Sequence, residues 1–480
     1  SALFFLIIWR LCSVFIVQTF HVPDEYWQSV EVAHKLTFNY GYLTWEWTAK
    51  IRSYIYPFLI SILYHILRLL HIDHVTLLIY LPRIFQALLS AYSDYRFYIW
   101  SKSKWSLFSL SINWYWYYCS SRTLINSFET SLTTIALSIF PWRNRENNFF
   151  FLWIIGFLFT IRPTSAIIWL PLCIYHFCTR SKDMFLLIKN YLLIGITCLS
   201  ISILIDSLCY EKFVITSWEF FKINVMNNIS ESYGIENPFW YFLSGFPVIL
   251  GMEYFTFFQS ILRIFQHWRQ LHQETILLIT IFWTIFVYSC LAHKEFRFIL
   301  PLLPMVIYIN NSRQYEIKRI SEFKRKFFVG LFILSNLIPG LYFSLIHQRG
   351  SLNALQFIRN DLSSEKNDIL FLTPCHATPL YSHLHKNISL RFLKCEPNLD
   401  NKIGYIEEAQ QFFANPQLWI DENYGEKIDL PTYIVVYDNF QESLKSFLTK
   451  FQEIYRTFDC HFPQPKYGNY LIVYKKNHPG

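Results

Sequence analysis

In HVPDEYWQSVEVAH (residues 21–34) two acids, Asp24 and Glu25, stand side by side directly after an apolar run. A carboxylate walled by aromatic rings suits general base work, because it can take a proton from a hydroxyl. Neighbouring residues point about 100° apart on a helix and to opposite faces on a strand. The pair is therefore poorly placed to flank one bond, as the two carboxylates of a glycosidase do. One acid is left to meet a substrate while the other is held by a partner or orients the loop. The blander explanation is a helix start, where acids after Pro23 favour the dipole.

Other stretches offer complementary chemistry. NYGYLTWEWTAKIRSYIYP (39–57) alternates flat rings and charges at Trp45, Glu46, Trp47 and Arg52, a surface suited to a glycan or to an interfacial aromatic belt. HKEFRF (293–298) offers His293, Lys294 and Arg297 as a phosphate clamp, with snorkelling cations and Glu295 as neutraliser the alternative. Arg162 sits at the apex of an apolar hairpin and Arg10 inside the first apolar run. Each needs an anion or a cavity, since an intramembrane arginine costs about 2.5 kcal/mol or more. CHATPLYSHLH (375–385) gathers Cys375, His376, His383 and His385, with Cys395 beyond. Their spacing matches no usual zinc pattern, so no metal is expected, and the odd number of polar-region cysteines predicts no disulfide framework. A Walker loop and a G-x-G-x-x-G run are both missing from the sequence, so neither route to a nucleotide is supported.

The elements that must position these groups lie in a membrane. Of the 480 residues 53% are hydrophobic and 20% aromatic, while 16% are charged. Soluble domains average about 25% charged residues. Mean hydropathy is only +0.23, so part of the chain meets water. The net charge of +8 comes from short basic loops and not from a long basic stripe, which points away from nucleic acid. Apolar runs at 3–20, 55–70, 77–98, 105–119, 123–140, 148–161, 164–178, 185–205, 240–262, 275–291, 298–311 and 327–346 predict a polytopic helical protein of roughly 11–12 spans. Residues 3–20 lack a small-residue cleavage pattern and read as a retained span. From Gln348 the chain turns polar, and DILFLT, TYIVVY and YLIVY predict strands of a soluble α/β portion. The expected division is 1–346, with a loop at 21–54, and 347–480. Basic loops at 143–146, 180–183, 263–270 and 312–326 belong in the cytosol, which puts 206–239, HKEFRF, Arg162, the C-terminal portion and the sequons at Asn228 and Asn387 on the far side. Putting 21–54 on that side as well requires that one of 105–119 or 123–140 fails to cross.

PDEYWQ (23–28) with the E-x-x-H of 31–34, YGYLTWEW (40–47) and HKEFRF together resemble the dolichol-phosphate-mannose-dependent mannosyltransferases of the endoplasmic reticulum, glycosyltransferase family 22 with GT-C architecture. QTFHVPDEYWQS, SSRTLINSFET (120–130), GFPVILG (245–251) and FLTPCHATPLYSHLH (371–385) are most similar to members that add the third, α-1,2-linked mannose of the glycosylphosphatidylinositol (GPI) anchor.

The resemblance implies dolichol-phosphate-mannose as donor, a GPI glycolipid precursor as acceptor and no cofactor or metal. It implies an endoplasmic reticulum membrane protein with a luminal site. A β-linked donor and an α-linked product mean inversion, for which one base suffices. Asp24 is the first choice and Glu25 the second. His293, Lys294, Arg297 and Arg162 would hold the departing phosphate. Trp45, Glu46, Trp47, Arg122 and Glu129 are assigned to the acceptor glycan. A related mannosyltransferase acting on the dolichol-linked N-glycan precursor is the nearest alternative. A lipid transporter or scramblase is the alternative of another class, although no repeated halves are evident.

Overall fold

The computed structural model describes residues 2–142, 148–180, 184–227, 229, 234–310, 321–362, 367–400, 402–425 and 429–477. The basic loop 143–146, most of 180–183, the greater part of 312–326 and the sequon at Asn228 lie outside them. The chain forms two compact units. One comprises Ser1–Phe15, Glu46–Leu59 and Pro82–Gly340; the other comprises Ile16–Trp45, Ile60–Leu81 and Leu341–Gly480.

Helices occupy the apolar runs of the sequence. Val75–Ser101, Met184–Cys209 and a stretch within Glu322–Asp361 are long and apolar enough to cross a membrane, and Tyr241–Leu250 with Glu253–His267 forms a pair bent by 115°. Shorter apolar helices are Ala2–Ile16, Ile55–Leu69, Phe150–Ile161, Ser165–Thr179 and Phe296–Asn310. Along Met184–Cys209 only Leu187, Ile194, Ser202 and Asp206 are buried, while Phe185, Ile196, Leu204 and Leu208 face outward. So extensive an apolar surface is stable in hydrocarbon and not in water. The run 105–119 is not one helix. Lys104–Ile112 and Trp114–Cys119 meet at Asn113, whose extended backbone breaks the helix and whose side chain accepts the Trp116 N–H. Neither piece approaches the ~20 residues a crossing needs.

Ile125–Ile139 is buried along nearly its whole length, with Asn126, Glu129, Thr130, Thr133 and Thr134 inside. A helix polar on its buried face packs against protein and not lipid. Arg10 finds its counter-ion in Asp94, 2.7 Å away with both side chains fully buried, and Asp94 also accepts the Trp116 indole N–H at 2.9 Å.

The second unit carries a five-stranded sheet in the order β2-β1-β3-β5-β4. The strands are β1 (Asp368–Leu372), β2 (Ser389–Phe392), β3 (Tyr433–Tyr437), β4 (Phe451–Phe458) and β5 (Tyr470–Lys476). β1 is parallel to β2 and β3, whereas β5 is antiparallel to β3 and β4. YIVVY is buried at every position, as a central strand covered on both faces must be. β2 and β4 close the edges with mixed sequences, and a register shift bends β4 between Glu453 and Tyr455. One face of the sheet builds a core with Phe412, Trp419 and Phe447 from the surrounding helices.

Candidate active site

Pro23 opens the acidic segment, and the Tyr26 and Trp27 amides both bond its carbonyl at 3.0 Å. The helix that starts there widens into a π-turn over Tyr26–Val30 before Glu31–Phe38 continues as α-helix. A single π-turn rotates the side chains that follow it, and such turns recur at functional sites. Asp24 remains half-buried while Glu25 is only 2% exposed. Ser29 Oγ donates to the Glu25 carbonyl, which ties the π-turn to the residue that precedes it. The two acids thus differ in access, as their adjacency requires.

Glu31 and His34, seven and ten residues after Asp24, look inward to the C-terminal portion of the same unit. The Glu31 carboxylate is fully buried and accepts the Leu380, Tyr381 and Ser382 amides and the Ser382 hydroxyl, at 2.6 to 3.2 Å. Burial pushes its carboxyl above the usual range, against the pull of these donors. His34 Nε2 lies 3.0 Å from His385 Nδ1, and His385 Nε2 lies 3.6 Å from Asp73. Burial, with His385 beside it, lowers His34 to about 3. The E-x-x-H of the sequence is therefore a clamp on residues 380–385. Sequence reasoning found its residues but not this purpose.

The C-H-A-T-P stretch lies against the acidic segment. The expectation that its cysteines are unpaired is overturned: Cys375 and Cys395 form a disulfide, with Cα atoms 6.0 Å apart. Twenty residues in sequence separate them, and β1–β2 pairing brings them together. Cys375, Cys395 and His376 offer atoms within 4.8 Å of one another, but two sulfurs joined to each other are not thiolate ligands. The His376 ring packs 4.9 Å from Trp27.

In the other unit the predicted cations meet carboxylates. Arg297 makes a bidentate pair with Glu295, both contacts at 2.6 Å, and His293 Nε2 reaches the same carboxylate at 3.0 Å. Burial opposes the charge on Glu295, but Arg297 and His293 outweigh it and hold the carboxyl well below its usual range. Lys294 Nζ donates to the Leu291 and Glu236 carbonyls at 2.6 and 3.2 Å, and burial lowers its pKa. Arg162 pairs with the buried Glu129 at 3.2 Å. Its guanidinium and that of Arg297 flank one ring, Phe298, at 5.5 and 5.3 Å. The hairpin arginine and HKEFRF, far apart in sequence, are thus one cluster.

The residues assigned to a glycan are largely enclosed. Trp45 and Trp47 are buried, with Trp47 against Tyr54 at 4.7 Å, and Glu46 is bound by Arg52 at 2.6 Å. Arg122 is buried over the Tyr118 ring at 4.1 Å and bonds the Tyr118 carbonyl. Asp206, which the sequence reading passed over, fixes the aromatic loop by accepting from Tyr54 N at 2.8 Å and Ser53 Oγ at 3.1 Å.

Residues 1–385 match the model of the Alg9-like mannosyltransferase family. The chain belongs to that family. GPI mannosyltransferase 3 of Drosophila melanogaster is 44% identical over 458 residues, covering 93% of this chain and 81% of that protein. GPI alpha-1,2-mannosyltransferase 3 of Homo sapiens is 38% identical over 493 residues, covering 100% and 87%. GPI mannosyltransferase 3 of Candida albicans is 30% identical over 500 residues, covering 98% and 97%. Among solved structures, ArnT from Cupriavidus metallidurans bound to undecaprenyl phosphate has a similar fold, with a TM-score of 0.60 at 10% identity over 98% of this chain and 96% of that one. An Alg9-like mannosyltransferase with this architecture is a membrane protein of the GT-C type, which agrees with its outward apolar helices.

Proposed function

We propose that this chain transfers mannose in α-1,2 linkage from dolichol-phosphate-mannose to the GPI anchor precursor, as the third mannose. Similarity to GPI mannosyltransferases of animals and a fungus along nearly the whole chain supports the acceptor class and linkage. The same likeness favours the GPI precursor over the N-glycan precursor. An endoplasmic reticulum membrane location with a luminal site follows from that reading and from the basic loops.

The observation that carries the mechanism is the unequal access of the two acids. Asp24 is reachable at the helix start while Glu25 is enclosed. Asp24 takes the proton of the acceptor hydroxyl as that oxygen bonds the anomeric carbon from the face opposite the phosphate. The bond to phosphate breaks and the configuration inverts. The leaving group departs as a phosphate anion and needs no protonation. Arg162 and Arg297 around Phe298, with Lys294, supply positive charge for it.

The decisive experiment expresses the chain in cells that lack the third-mannose step. Recovery of surface GPI-anchored proteins is expected. Continued accumulation of a two-mannose precursor, with the protein present at normal level, would remove the assignment.

A further inference from the structure

Helix Glu322–Leu345 lies beside Lys104–Ile112 and Trp114–Cys119, and three of its residues, one turn apart, close the seam between them. Phe332 is buried and packs on Trp105 at 5.7 Å and Phe108 at 6.4 Å. Asn336 accepts the Trp114 amide at 3.0 Å, and a Cβ on Gly340 would lie 3.7 Å from that of Trp114. Toward the start of Glu322–Leu345 the seam opens. There Trp105, Arg325, Lys326, Val329, Gly330 and Ile333 line a cavity of about 500 Å³. That is within the roughly 300–1,000 Å³ of ligand pockets.

Gly330 leaves the cavity unfilled. It stands inside a helix, where glycine is less stable than alanine, yet a Cβ there would meet no atom of the described residues within 4 Å. The protein's own packing does not call for the missing side chain. The two ends of the cavity differ in chemistry. Val329, Ile333 and Trp105 give apolar walls, and the neighbouring Phe327, Leu331 and Leu334 are exposed, as lipid-facing positions are. Arg325 and Lys326 stand at the other end. From Arg325 to Ile333 the helix rises about 12 Å, close to the ~15 Å of half a hydrocarbon core. More cations adjoin that end: Lys102 turns the chain at φ 52°, and Lys104 starts the next helix immediately before Trp105. Residues 101–105 and 321–330 together hold five cations against one acid, Glu322, which pairs with Lys326 at 2.8 Å.

We infer that this cavity binds an anionic phospholipid of the membrane: the headgroup phosphate sits on Arg325 and Lys326, and an acyl chain fills the space over Gly330. The guanidinium offers a phosphate two parallel N–H donors. By the positive-inside rule the basic end faces the cytosol, where the leaflet carries anionic headgroups. The bound lipid continues the seam that Phe332, Asn336 and Gly340 close further along, and so fastens Glu322–Leu345 to the helices of 104–119. The site shares no residue with the groups assigned to mannose transfer, so it stands apart from that reading.

The test uses the full-length protein in detergent. Native mass spectrometry counts bound lipid and thermal unfolding reads its effect, with phosphatidylserine, phosphatidylcholine of the same chains, dolichyl phosphate and inorganic phosphate as probes. Phosphatidylserine should bind and raise the melting temperature, phosphatidylcholine should bind more weakly, and inorganic phosphate should not compete. Arg325→Gln/Lys326→Gln should weaken phosphatidylserine binding about fivefold for each cation removed, the worth of one basic side chain at an anionic surface. Gly330→Leu fills the cavity and should lose most of the binding, while melting no lower than wild type without lipid. Gly330→Ala should lose less, a graded response that misfolding would not give. Equal binding of the two phospholipids, or full binding in Gly330→Leu, overturns the site. A loss confined to the Arg325/Lys326 variant marks general attraction to an anionic surface and overturns it likewise. Competition by inorganic phosphate, or displacement of phosphatidylserine by dolichyl phosphate, overturns the choice of ligand.

Discussion

Glu31 accepts the Ser382 hydroxyl at 2.6 Å across 351 residues of chain, and the same carboxylate takes the amides of Leu380, Tyr381 and Ser382. One buried side chain seven positions after Asp24 thus fixes the segment that begins at Cys375. Glu31→Gln turns one oxygen into an amide that faces donors. Leaving one or two buried N–H groups unmade should cost about 1–3 kcal/mol each. Ser382→Ala removes a single bond and should cost about 1 kcal/mol. Thermal unfolding of the detergent-solubilised protein tests the ranking; equal melting temperatures for wild type and Glu31→Gln would contradict the clamp.

Arg162, partly exposed, pairs with the fully buried Glu129, 3.2 Å away. Arg162→Ala strands a buried carboxylate and should destabilise by about 3–5 kcal/mol. The double variant Arg162→Met/Glu129→Leu removes both charges and should recover most of that stability. Mannose transfer should stay lost in the double variant, because the phosphate has then lost its guanidinium. Turnover restored along with stability would reduce the pair to a structural role.

The helical architecture was legible because its signal is local. Apolar runs predict helices wherever lipid or core must be met, and the helices fall on those runs. The break at Asn113 was half-visible: the sequence demanded that 105–119 or 123–140 not cross, but an asparagine inside an aromatic run gives no hint of which. β1, β3 and β5 announce themselves as apolar runs, whereas SLRF and FQEIYRTF are edge strands whose polar positions hide them. Partnerships were out of reach. Arg10 demanded an anion, yet nothing singles out Asp94, 84 residues away. Cys375 and Cys395 looked unpaired because β1–β2 pairing, not spacing, joins them. The same holds for the site. The acids and cations were visible as residue types, whereas the clamp by Glu31, the anchor at Asp206 and the packing of His376 on Trp27 exist only after folding.

Asp459 sets a pH dependence of stability. Its carboxylate accepts the Gly350 amide at 2.9 Å and the Tyr437 hydroxyl at 3.3 Å, and burial outweighs both to raise it from 3.8 to about 6. An acid whose pKa rises on folding stabilises the folded state fully below its unfolded value and loses that contribution as pH climbs through its folded value. The stability of wild type relative to Asp459→Asn should therefore fall between about pH 4 and 6, by on the order of 2–3 kcal/mol. Melting curves of both proteins across that range provide the check. A difference that stays flat would mean that Asp459 titrates alike in both states.

Asn387 reports on sidedness. It is exposed, in the turn that leads into β2, and Ser389 of its N-I-S sequon is exposed as well. With this unit in the lumen, the asparagine is open to glycan attachment. Wild type from a eukaryotic host should shift on a gel after peptide-N-glycosidase treatment, and Asn387→Gln should lose that part of the shift. An Asn387 found wholly unmodified by mass spectrometry of the peptide would count against the luminal placement.

The two acids at the head of the π-turn should separate cleanly. Asp24 is half-buried and is the base in the proposed reaction, so Asp24→Asn keeps shape and polarity while removing basicity. Its kcat should fall by about 10²- to 10⁴-fold, the range a positioned general base provides, with expression unchanged. Glu25 is 2% exposed, so Glu25→Gln should act first on the integrity of the segment. It should lower the melting temperature and yield more than turnover per folded molecule. Measuring both variants as kcat per correctly folded enzyme distinguishes the roles. The opposite pattern, a silent Asp24→Asn beside a dead but stable Glu25→Gln, would transfer the base to Glu25. It would also imply that the helix start reorganises when substrate binds, since the enclosed carboxylate would then have to become reachable.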